Sequence, residues 1–284
     1  MVEDKRQIPG TDNGGQKARE ALKAAQRVVV KVGTSSITYE NGRMNLGNIN
    51  RLARALSDQM NRGKEMILVS SGAIAVGRSK LRQATPPQNM PEKQAFASIG
   101  QSALMNAYSR HFSEYGYEVG QVLLTRDDVD DKVILENITN TFEQLIRLET
   151  LPIVNENDTV STKEVMHNGT FGDNDALSAI VAKIVRADLL ILLSDIDGLF
   201  DCDPHREADA CLVDRVFELT PELRQVAGGR GSRRGTGGMI SKLSAARIAM
   251  EAGIDMVISN GSRPEDIAAI LAGEVVGTFF DSRP

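Results

Sequence analysis

Near the start of the chain lies the stretch RVVVKVGTSS, residues Arg27–Ser36. Its first part, Arg27–Val32, is an apolar run that predicts a buried strand. Lys31 interrupts this run, and a buried lysine needs a charged partner. Lys31 is solvated if the strand lies at a sheet edge, and it faces an anion if the strand is central. We favour the anion, because the glycine and hydroxyl groups of Gly33–Ser36 follow at the carboxyl end of the strand, where α/β sheets bind ligands.

Predicted strands and helices alternate along the rest of the chain. Apolar runs predict strands at Met66–Val69, Glu118–Leu124, Leu151–Val154, Leu189–Leu193, Met256–Ser259 and Thr278–Phe280. Helical spacing of apolar residues predicts helices at Leu46–Met60, Glu92–Tyr115, Val133–Leu148, Ala176–Arg186, Leu243–Gly253 and Pro264–Leu271. This alternation predicts an α/β fold with one mainly parallel sheet covered by helices on both faces. We expect residues 1–26 to be a flexible N-terminal extension with a short helix at Gln16–Gln26, and residues 27–284 to form one domain.

Composition excludes several classes of function. The 284 residues carry a net charge of −5, which argues against nucleic-acid and membrane-surface partners. No apolar run approaches the roughly 18 residues of a membrane span. The two cysteines, Cys202 and Cys211, form no CxxC pair, so we expect reduced thiols and a cytoplasmic location. The three histidines, His111, His167 and His205, have no spacing typical of metal ligation or acid–base catalysis.

A glycine-rich stretch, GGRGSRRGTGGMISK, spans Gly228–Lys242 and contains six glycines, three arginines and one lysine. Glycine backbones and the start of a following helix can wrap a phosphate chain. Lys242 would then lie about one turn inside the helix and reach a terminal phosphate. A surface loop with a solvated lysine fits this stretch equally well. The pattern matches neither GxxxxGK[ST] nor a GxGxxG after the first strand.

Polar clusters follow several other predicted strands. The small residues of Ser70–Ala73 permit either close approach of a ligand or a tight packing turn. Asn155–Asp158 and Phe171–Asp175 are rich in short polar side chains, which favours a site for a small polar molecule over turns and helix caps alone. Ser194–Gly198 fits an Asp-Gly turn better than a ribose contact, and Leu199 stands where a calcium loop needs an oxygen ligand.

Six motifs carry a resemblance to a known family: VVVKVGTSS, VSSGAIAVG, LPIVNENDTVS, FGDNDALSA, LLSDIDGLFD and GTGGMISK, in that order. From about Arg27 to Phe280 the chain resembles the glutamate 5-kinases of the amino-acid kinase superfamily, and the pair NEND and GDND is characteristic of these kinases. The resemblance implies a three-layer α/β/α sandwich. It also implies that the γ-phosphoryl group of ATP is transferred, with Mg²⁺, to the side-chain carboxylate of L-glutamate. The product, glutamyl 5-phosphate, is the first intermediate of proline biosynthesis.

The resemblance also implies a role for each matching residue. Lys31 and Lys242 should neutralise the moving phosphoryl group, and Asp175 should position both lysines. The residues implied to hold glutamate are Ser71, Asp158 and Asn174. Those implied to contact ATP are Lys31, Ser194, Asp195, Thr236, Gly237, Gly238, Met239, Ile240, Ser241 and Lys242. Gly33 and Gly72 would offer backbone N–H groups near the reacting oxygens, and no residue is implied as a metal ligand.

Further expectations follow from the same resemblance. The acceptor carboxylate is ionised at pH 7, so the reaction needs no general base and no catalytic histidine. The family commonly forms dimers or tetramers, and inhibition by proline is expected. Most members carry a further C-terminal domain similar to RNA-binding PUA modules, which we expect this chain to lack. A kinase for aspartate, N-acetylglutamate or carbamate is the nearest alternative, and the NEND and GDND pair argues against it. A non-catalytic nucleotide sensor has no need of Lys31, Asp175 and Lys242 together.

Overall fold

The computed structural model describes residues 8–12, 14–83, 85–160, 174–202, 207, 209–227 and 236–283. Its strands are β1 Thr11–Asp12, β2 Arg27–Val32, β3 Glu65–Ser70, β4 Val119–Leu124, β5 Leu151–Glu156, β6 Leu189–Ser194, β7 Arg215–Val216, β8 Asp255–Asn260 and β9 Thr278–Phe280. Its α-helices are α1 Gly15–Arg19, α2 Thr34–Ile37, α3 Leu46–Asn61, α4 Ala73–Lys80, α5 Met90–Ser113, α6 Arg126–Asp130, α7 Lys132–Arg147, α8 Asn174–Ile184, α9 Pro221–Ala227, α10 Thr236–Glu251 and α11 Asp266–Leu271. A 3₁₀ helix covers Glu20–Ala24.

The strands form a single sheet in the order β1-β7-β9-β8-β6-β2-β3-β5-β4. The six strands from β8 to β4 in this order run parallel to one another. Antiparallel pairs occur at the other end, between β8 and β9 and between β1 and β7. Strand β2 lies in the middle, with Lys31 opposite Leu192 of β6 and Val69 of β3. The predicted mainly parallel sheet is therefore confirmed, and Lys31 lies on a central strand.

Helices cover both faces of this sheet. Along β2, Val29 faces one apolar core, and Val28 and Val30 face the other, because successive side chains of a strand point to opposite sides. The first core is completed by residues of α7, α8, α9 and α10, and the second by residues of α3, α4, α5 and α11. This arrangement confirms the three-layer α/β/α sandwich. Within the described part of the chain, no helix has both the length and the apolar character needed to cross a bilayer.

The N-terminal segment differs from the expected flexible extension. Helical structure near Gln16–Gln26 is confirmed by α1 and the 3₁₀ helix, but β1 also joins the sheet by pairing with β7. The side chain of Arg19 is fully buried and donates hydrogen bonds to Asp214 and to the carbonyls of Val276 and Gly277. Because a buried guanidinium needs such partners, residues 8–12 and 14–26 pack as part of the domain.

Two predicted boundaries move toward the site. Helix α10 begins at Thr236 and not at Leu243, so Lys242 is its seventh residue, nearly two turns inside and not one. Strand β5 continues to Glu156, which places Asn155 and Glu156 in the strand and not after it. Helices α2, α4, α6 and α9 had no counterpart in the prediction, because each has eight residues or fewer and offers too little apolar periodicity.

Candidate active site

A cleft of about 410 Å³ opens at the carboxyl ends of β2, β3 and β5. These strands are parallel, so the polar residues that follow them lie together at the carboxyl-terminal end of the sheet. The residues along the cleft include Lys31, Ser71, Arg78, Asn155, Asp158 and Asn174. The three residues expected to hold glutamate, Ser71, Asp158 and Asn174, are thus brought together.

Beside this cleft, three charged side chains from separate elements meet. The ammonium Nζ of Lys31 on β2 lies 2.5 Å from Oδ1 of Asp175 on α8. The ammonium Nζ of Lys242 on α10 lies 3.1 Å from Oδ2 of the same carboxylate. All three residues are buried, with exposed fractions of 6% for Lys31, 1% for Asp175 and 7% for Lys242. The ammonium groups of Lys31 and Lys242 together with the single Asp175 carboxylate carry a net positive charge. Because this charge is buried and poorly solvated, it attracts an anionic ligand.

The same contacts fix the protonation of Asp175. Burial acts to raise the pKa of this carboxyl group, but the nearby Lys31 and Lys242 ammonium groups outweigh burial and lower the pKa below its ordinary value. Asp175 is therefore an ionised hydrogen-bond acceptor at neutral pH. Its place in the first turn of α8 also suits a negative charge.

Backbone geometry at two glycines distinguishes their roles. Gly72 has φ of +88°, which favours glycine, and it precedes α4, whose first residues Ala73 and Ile74 line the cleft. The free N–H groups of this helix start therefore face the ligand space. Gly33 lies beside the ammonium of Lys31, since an added Cβ would stand 3.6 Å from Nζ. Its N–H, however, donates to the carbonyl of Leu193 at 3.3 Å, so the expected free N–H at Gly33 is wrong: the group continues the ladder between β2 and β6.

A row of amide side chains supports Asn174. The Nδ2 group of Asn174 donates to the carbonyl of Ser70 at 2.8 Å and to Oδ1 of Asn155 at 3.0 Å. Asn155 in turn donates to Oε1 of Gln101 on α5 at 2.9 Å. At the same end of the sheet, the hydroxyl of Ser71, which follows β3, donates to the carbonyl of Val32 on β2 at 3.0 Å. These bonds fix the orientation of the polar groups that face the cleft.

The residues expected to contact ATP fall into two groups. Ser194 is the last residue of β6, the neighbour of β2, and Asp195 follows it. The Ser194 hydroxyl donates to the Asp195 carboxylate at 3.0 Å, and neither residue lines the cleft. Thr236, Gly237, Gly238, Met239, Ile240, Ser241 and Lys242 form the first two turns of α10. Lys242 also donates to the carbonyl of Gly238 at 3.3 Å, and the hydroxyl of Ser241 is buried.

Several predicted features lie outside the described residues. They are residues 228–235 of the glycine-rich stretch, Phe171, Gly172 and Asp173 of the FGDND motif, and two of the histidines, His167 and His205. Cys202 and Cys211 are free thiols, and burial together with the carboxylate of Asp201 raises the pKa of Cys202 to about 11. His111 lies on α5.

Two residues near the site carried no signal in the sequence. Gln101 supports Asn155 from α5, and its position 54 residues away gives no local pattern that links the two. Arg78 lines the cleft from α4, a helix that the apolar spacing does not predict. A signal for Arg78 exists only once α4 is known, because the residue then lies one turn beyond Ile74 on the same face.

The described residues contain no group of three or more His, Cys, Asp or Glu side chains that could hold a metal ion. Mg²⁺ in phosphoryl-transfer enzymes keeps several waters and binds mainly through substrate phosphates and one or two carboxylates. The exposed carboxylate of Asp195, directly after β6, is the kind of ligand that such an ion takes.

Comparisons with known proteins agree with this geometry. Residues 26–260 match the model of the amino acid kinase family. The chain is 53% identical to a glutamate 5-kinase of Clostridium perfringens, over 92% of this chain and 97% of that protein. It is 54% identical to a glutamate 5-kinase of Listeria innocua, over 93% of this chain and 96% of that protein.

Solved structures show the same fold at low identity. The isopentenyl phosphate kinase of T. acidophilum, in a product complex, has a TM-score of 0.61 at 18% identity, over 89% of this chain and 99% of that chain. The UMP kinase of Ureaplasma parvum has a TM-score of 0.61 at 15% identity, over 90% and 99% of the two chains. Taken with the family match and the identities above, these findings show that the chain belongs to the amino acid kinase family and, within it, to the glutamate 5-kinases.

Proposed function

We propose that this chain transfers the γ-phosphoryl group of ATP to the side-chain carboxylate of L-glutamate, giving L-glutamyl 5-phosphate for proline biosynthesis. The observation that carries the proposal is the buried contact of Lys31 and Lys242 with Asp175, beside a cleft lined by polar residues. Relatives named glutamate 5-kinase, at 53% and 54% identity, support the choice of acceptor.

In this reaction an oxygen of the acceptor carboxylate attacks the γ-phosphorus, and the bond from that phosphorus to the bridging oxygen of ADP breaks. Both reactants are anions, so the main task of the protein is to bring them together and stabilise negative charge. The ammonium groups of Lys31 and Lys242 stabilise this charge, and each is held by a different oxygen of the Asp175 carboxylate. Because the acceptor is already ionised at neutral pH, no side chain has to remove a proton.

Glutamate occupies the cleft with its side-chain carboxylate toward Lys31. The Ser71 hydroxyl and both N–H groups of the Asn174 amide donate to protein groups, so the oxygen atoms of these side chains remain available to accept from the α-ammonium group of the substrate. Asp158 lies along the same cleft and accepts from the α-ammonium group of the substrate.

ATP binds with its phosphates toward the start of α10, where Thr236–Lys242 provide backbone N–H groups and the ammonium of Lys242. Ser194 and Asp195 contact the nucleotide from the end of β6. Mg²⁺ supplies charge neutralisation on the phosphates when it is bound. An added Cβ at Gly238 would meet no other atom of the described residues within 4 Å, so the backbone there is open to a ligand.

Three further features belong to the same proposal and are supported by the family resemblance alone. The protein acts in the cytoplasm. It assembles as a homodimer or homotetramer. Proline, the end product of the pathway, inhibits it.

An acceptor panel tests the proposed function. The protein is incubated with ATP, Mg²⁺ and hydroxylamine together with L-glutamate, L-aspartate, N-acetyl-L-glutamate or carbamate, and acyl phosphate is trapped as hydroxamate. We expect product from glutamate, and we expect none when Asp175→Asn replaces the wild-type protein. Hydroxamate from aspartate but not from glutamate would overturn the choice of acceptor, and ATP binding without product from any acceptor would favour a nucleotide sensor.

A further inference from the structure

We propose that Arg78 binds the α-carboxylate of glutamate and thereby selects acceptors that carry a second carboxylate. The assignment rests on the proposed function. Arg78 lies on α4, which begins directly after Gly72, and it lines the same cleft as Ser71 and Lys31.

The spacing of Gly72 and Arg78 along α4 suits an acceptor of the length of glutamate. Arg78 lies six positions after Gly72, which corresponds to roughly 9 Å along a helix axis. Side chains of a helix lean toward its N-terminus, so the guanidinium of Arg78 reaches back toward the reacting end. The two carboxylate carbons of glutamate are separated by three carbon atoms, or roughly 5 Å when extended, given carbon–carbon bonds of ~1.5 Å. A glutamate with its side-chain carboxylate near Gly72 therefore places its α-carboxylate within reach of Arg78.

Arg78 differs from the other buried and half-buried arginines in its ion pairs. Other arginines with buried or half-buried side chains pair with carboxylates: Arg19 with Asp214, Arg27 with Glu65 and Glu143, and Arg215 with Asp12 and Asp281. Arg78 is half-buried, and within the described residues its guanidinium has neither a hydrogen bond nor an ion pair, although its backbone carbonyl accepts from Gln83. A planar guanidinium binds a carboxylate through two parallel hydrogen bonds, so an α-carboxylate is a well-matched ligand.

Packing of α4 holds Arg78 in place. Gly77, next to Arg78, lies against the backbone of Phe96 on α5, and Gly100 of α5 lies against the carbonyl of Ala73. A Cβ at either glycine would overlap backbone atoms, so the two helices lie in direct backbone contact. The backbone that carries Arg78 is therefore fixed relative to the cleft, and this limits the length of acceptor that its guanidinium can reach.

The charges of the cleft complement an α-amino acid. Asp158 and Glu156 line the cleft together with Arg78. A carboxylate for the α-ammonium group and a guanidinium for the α-carboxylate together recognise the zwitterionic end of glutamate. The Lys31 end remains for the carboxylate that is phosphorylated.

The test compares two acceptors that differ only at the α-carboxylate. L-Isoglutamine keeps the side-chain carboxylate and the ammonium group of glutamate and carries an uncharged amide in place of the α-carboxylate. With hydroxamate as the readout, we expect wild-type protein to prefer glutamate by roughly 10- to 100-fold in kcat/KM, as for loss of a hydrogen bond between charged groups. Arg78→Met should lower kcat/KM for glutamate by a similar factor and bring the ratio of the two acceptors close to one.

Two further variants serve as comparisons for Arg78→Met. Arg78→Lys keeps the charge without the planar fork and should give an intermediate ratio. Lys80→Met removes an exposed cation two residues away on the same helix and should leave both kinetic constants and the ratio unchanged. If Arg78→Met fails to fold by circular dichroism, Arg78→Gln takes its place and the same ratio decides.

Arg78→Met lowering glutamate and isoglutamine turnover equally would overturn the assignment, because a structural role of Arg78 affects both acceptors alike. Calorimetric titration with the two ligands, in the absence of ATP, separates this failure from failure of the proposed function. Glutamate that binds wild-type protein and loses affinity in Arg78→Met supports Arg78 even if no hydroxamate forms. Equal affinity of both ligands for wild-type protein contradicts it.

Discussion

At the scale of single residues, the decisive feature is a buried carboxylate shared by two ammonium groups. The Asp175 carboxylate contacts the ammonium groups of both Lys31 and Lys242. Removing one partner of such a buried group leaves another charge without compensation, so each of the three side chains influences the other two.

The first prediction concerns Lys242. Changing Lys242→Ala removes one of the two ammonium groups that stabilise the moving phosphoryl group. We expect kcat to fall by roughly 10²-fold or more, as for loss of one transition-state charge donor, with a much smaller effect on the KM for glutamate. Steady-state hydroxamate formation measures both constants. The matched control is Lys183→Ala, an exposed lysine on α8, which should retain wild-type kcat. An unchanged kcat in Lys242→Ala would remove Lys242 from the chemical step.

The second prediction concerns Asn174, whose amide is fixed by Ser70 and Asn155. Changing Asn174→Ala should raise the KM for glutamate by roughly tenfold, the effect of losing a well-formed substrate hydrogen bond, and should change kcat less. Initial rates at varied glutamate concentration test this. Asn137→Ala, at an exposed position of α7, is the control. A loss confined to kcat would show that Asn174 acts on the reacting atoms and not on binding.

Some contacts of the site residues can be predicted from the sequence, and others cannot. The sequence left Lys31 on either an edge or a central strand, and the glycine and hydroxyl groups after the strand favoured the central position, which its pairing with β3 and β6 confirms. Its partner Asp175 lies 144 positions away, so only the family motifs, and no local pattern, connected the two. The role of Gly33 was misjudged because its N–H belongs to the sheet ladder, and strand pairing is not visible in a single short run.

At the scale of elements, α4 and α5 determine the shape of the cleft wall. Their contact depends on Gly77 and Gly100, where any side chain would overlap the backbone of the other helix. Helix α4 escaped prediction because it is short and rich in small residues, while α5, α3 and α7 were predicted to within two residues at each end. The regular spacing of apolar residues predicts a long helix, whereas a short helix held by backbone contacts has too few apolar residues to show that spacing.

The third prediction tests this contact. Changing Gly100→Ala places a Cβ against the carbonyl of Ala73 and should destabilise the protein by about 1–3 kcal/mol, the usual cost of overpacking. It should also raise the KM for glutamate, because α4 carries the cleft wall. Urea unfolding and initial rates measure the two effects.

Gly47→Ala on α3 is the matched control for this change. An added Cβ at Gly47 meets only the Asn45 side chain at 3.7 Å, so stability should stay unchanged or rise by about 0.5–1 kcal/mol. Equal stability of Gly100→Ala and Gly47→Ala would contradict the close contact of α4 with α5.

At the scale of the whole molecule, the N-terminal segment closes one end of the sheet. Charge and glycine content suggested an extension, but Arg19 is buried with hydrogen bonds to Asp214, just before β7, and to Gly277, just before β9, and Leu22 is buried in the second apolar core. The parallel core was predictable from alternation alone. Strands β1 and β7 were not, because each has two residues and pairs across roughly 200 positions of sequence.

The fourth prediction follows from the burial of Arg19. Changing Arg19→Met leaves Asp214 and two carbonyls without their guanidinium partner and should lower the free energy of unfolding by about 3–5 kcal/mol. Urea unfolding gives the loss, and Lys17→Met, an exposed position on α1, is the control. Wild-type stability in Arg19→Met would show that the segment contributes little to the fold.

The central claim, that two ammonium groups act on one phosphoryl group, is tested most directly by a crystal structure with ADP, Mg²⁺, L-glutamate and aluminium fluoride as a mimic of the phosphoryl group in flight. The account predicts Nζ of Lys31 and Nζ of Lys242 both at about 3 Å from the fluoride ligands, the distance expected of charge-stabilising donors. A complex in which either ammonium group remains out of hydrogen-bond range of the mimic, with glutamate in the cleft, would contradict it.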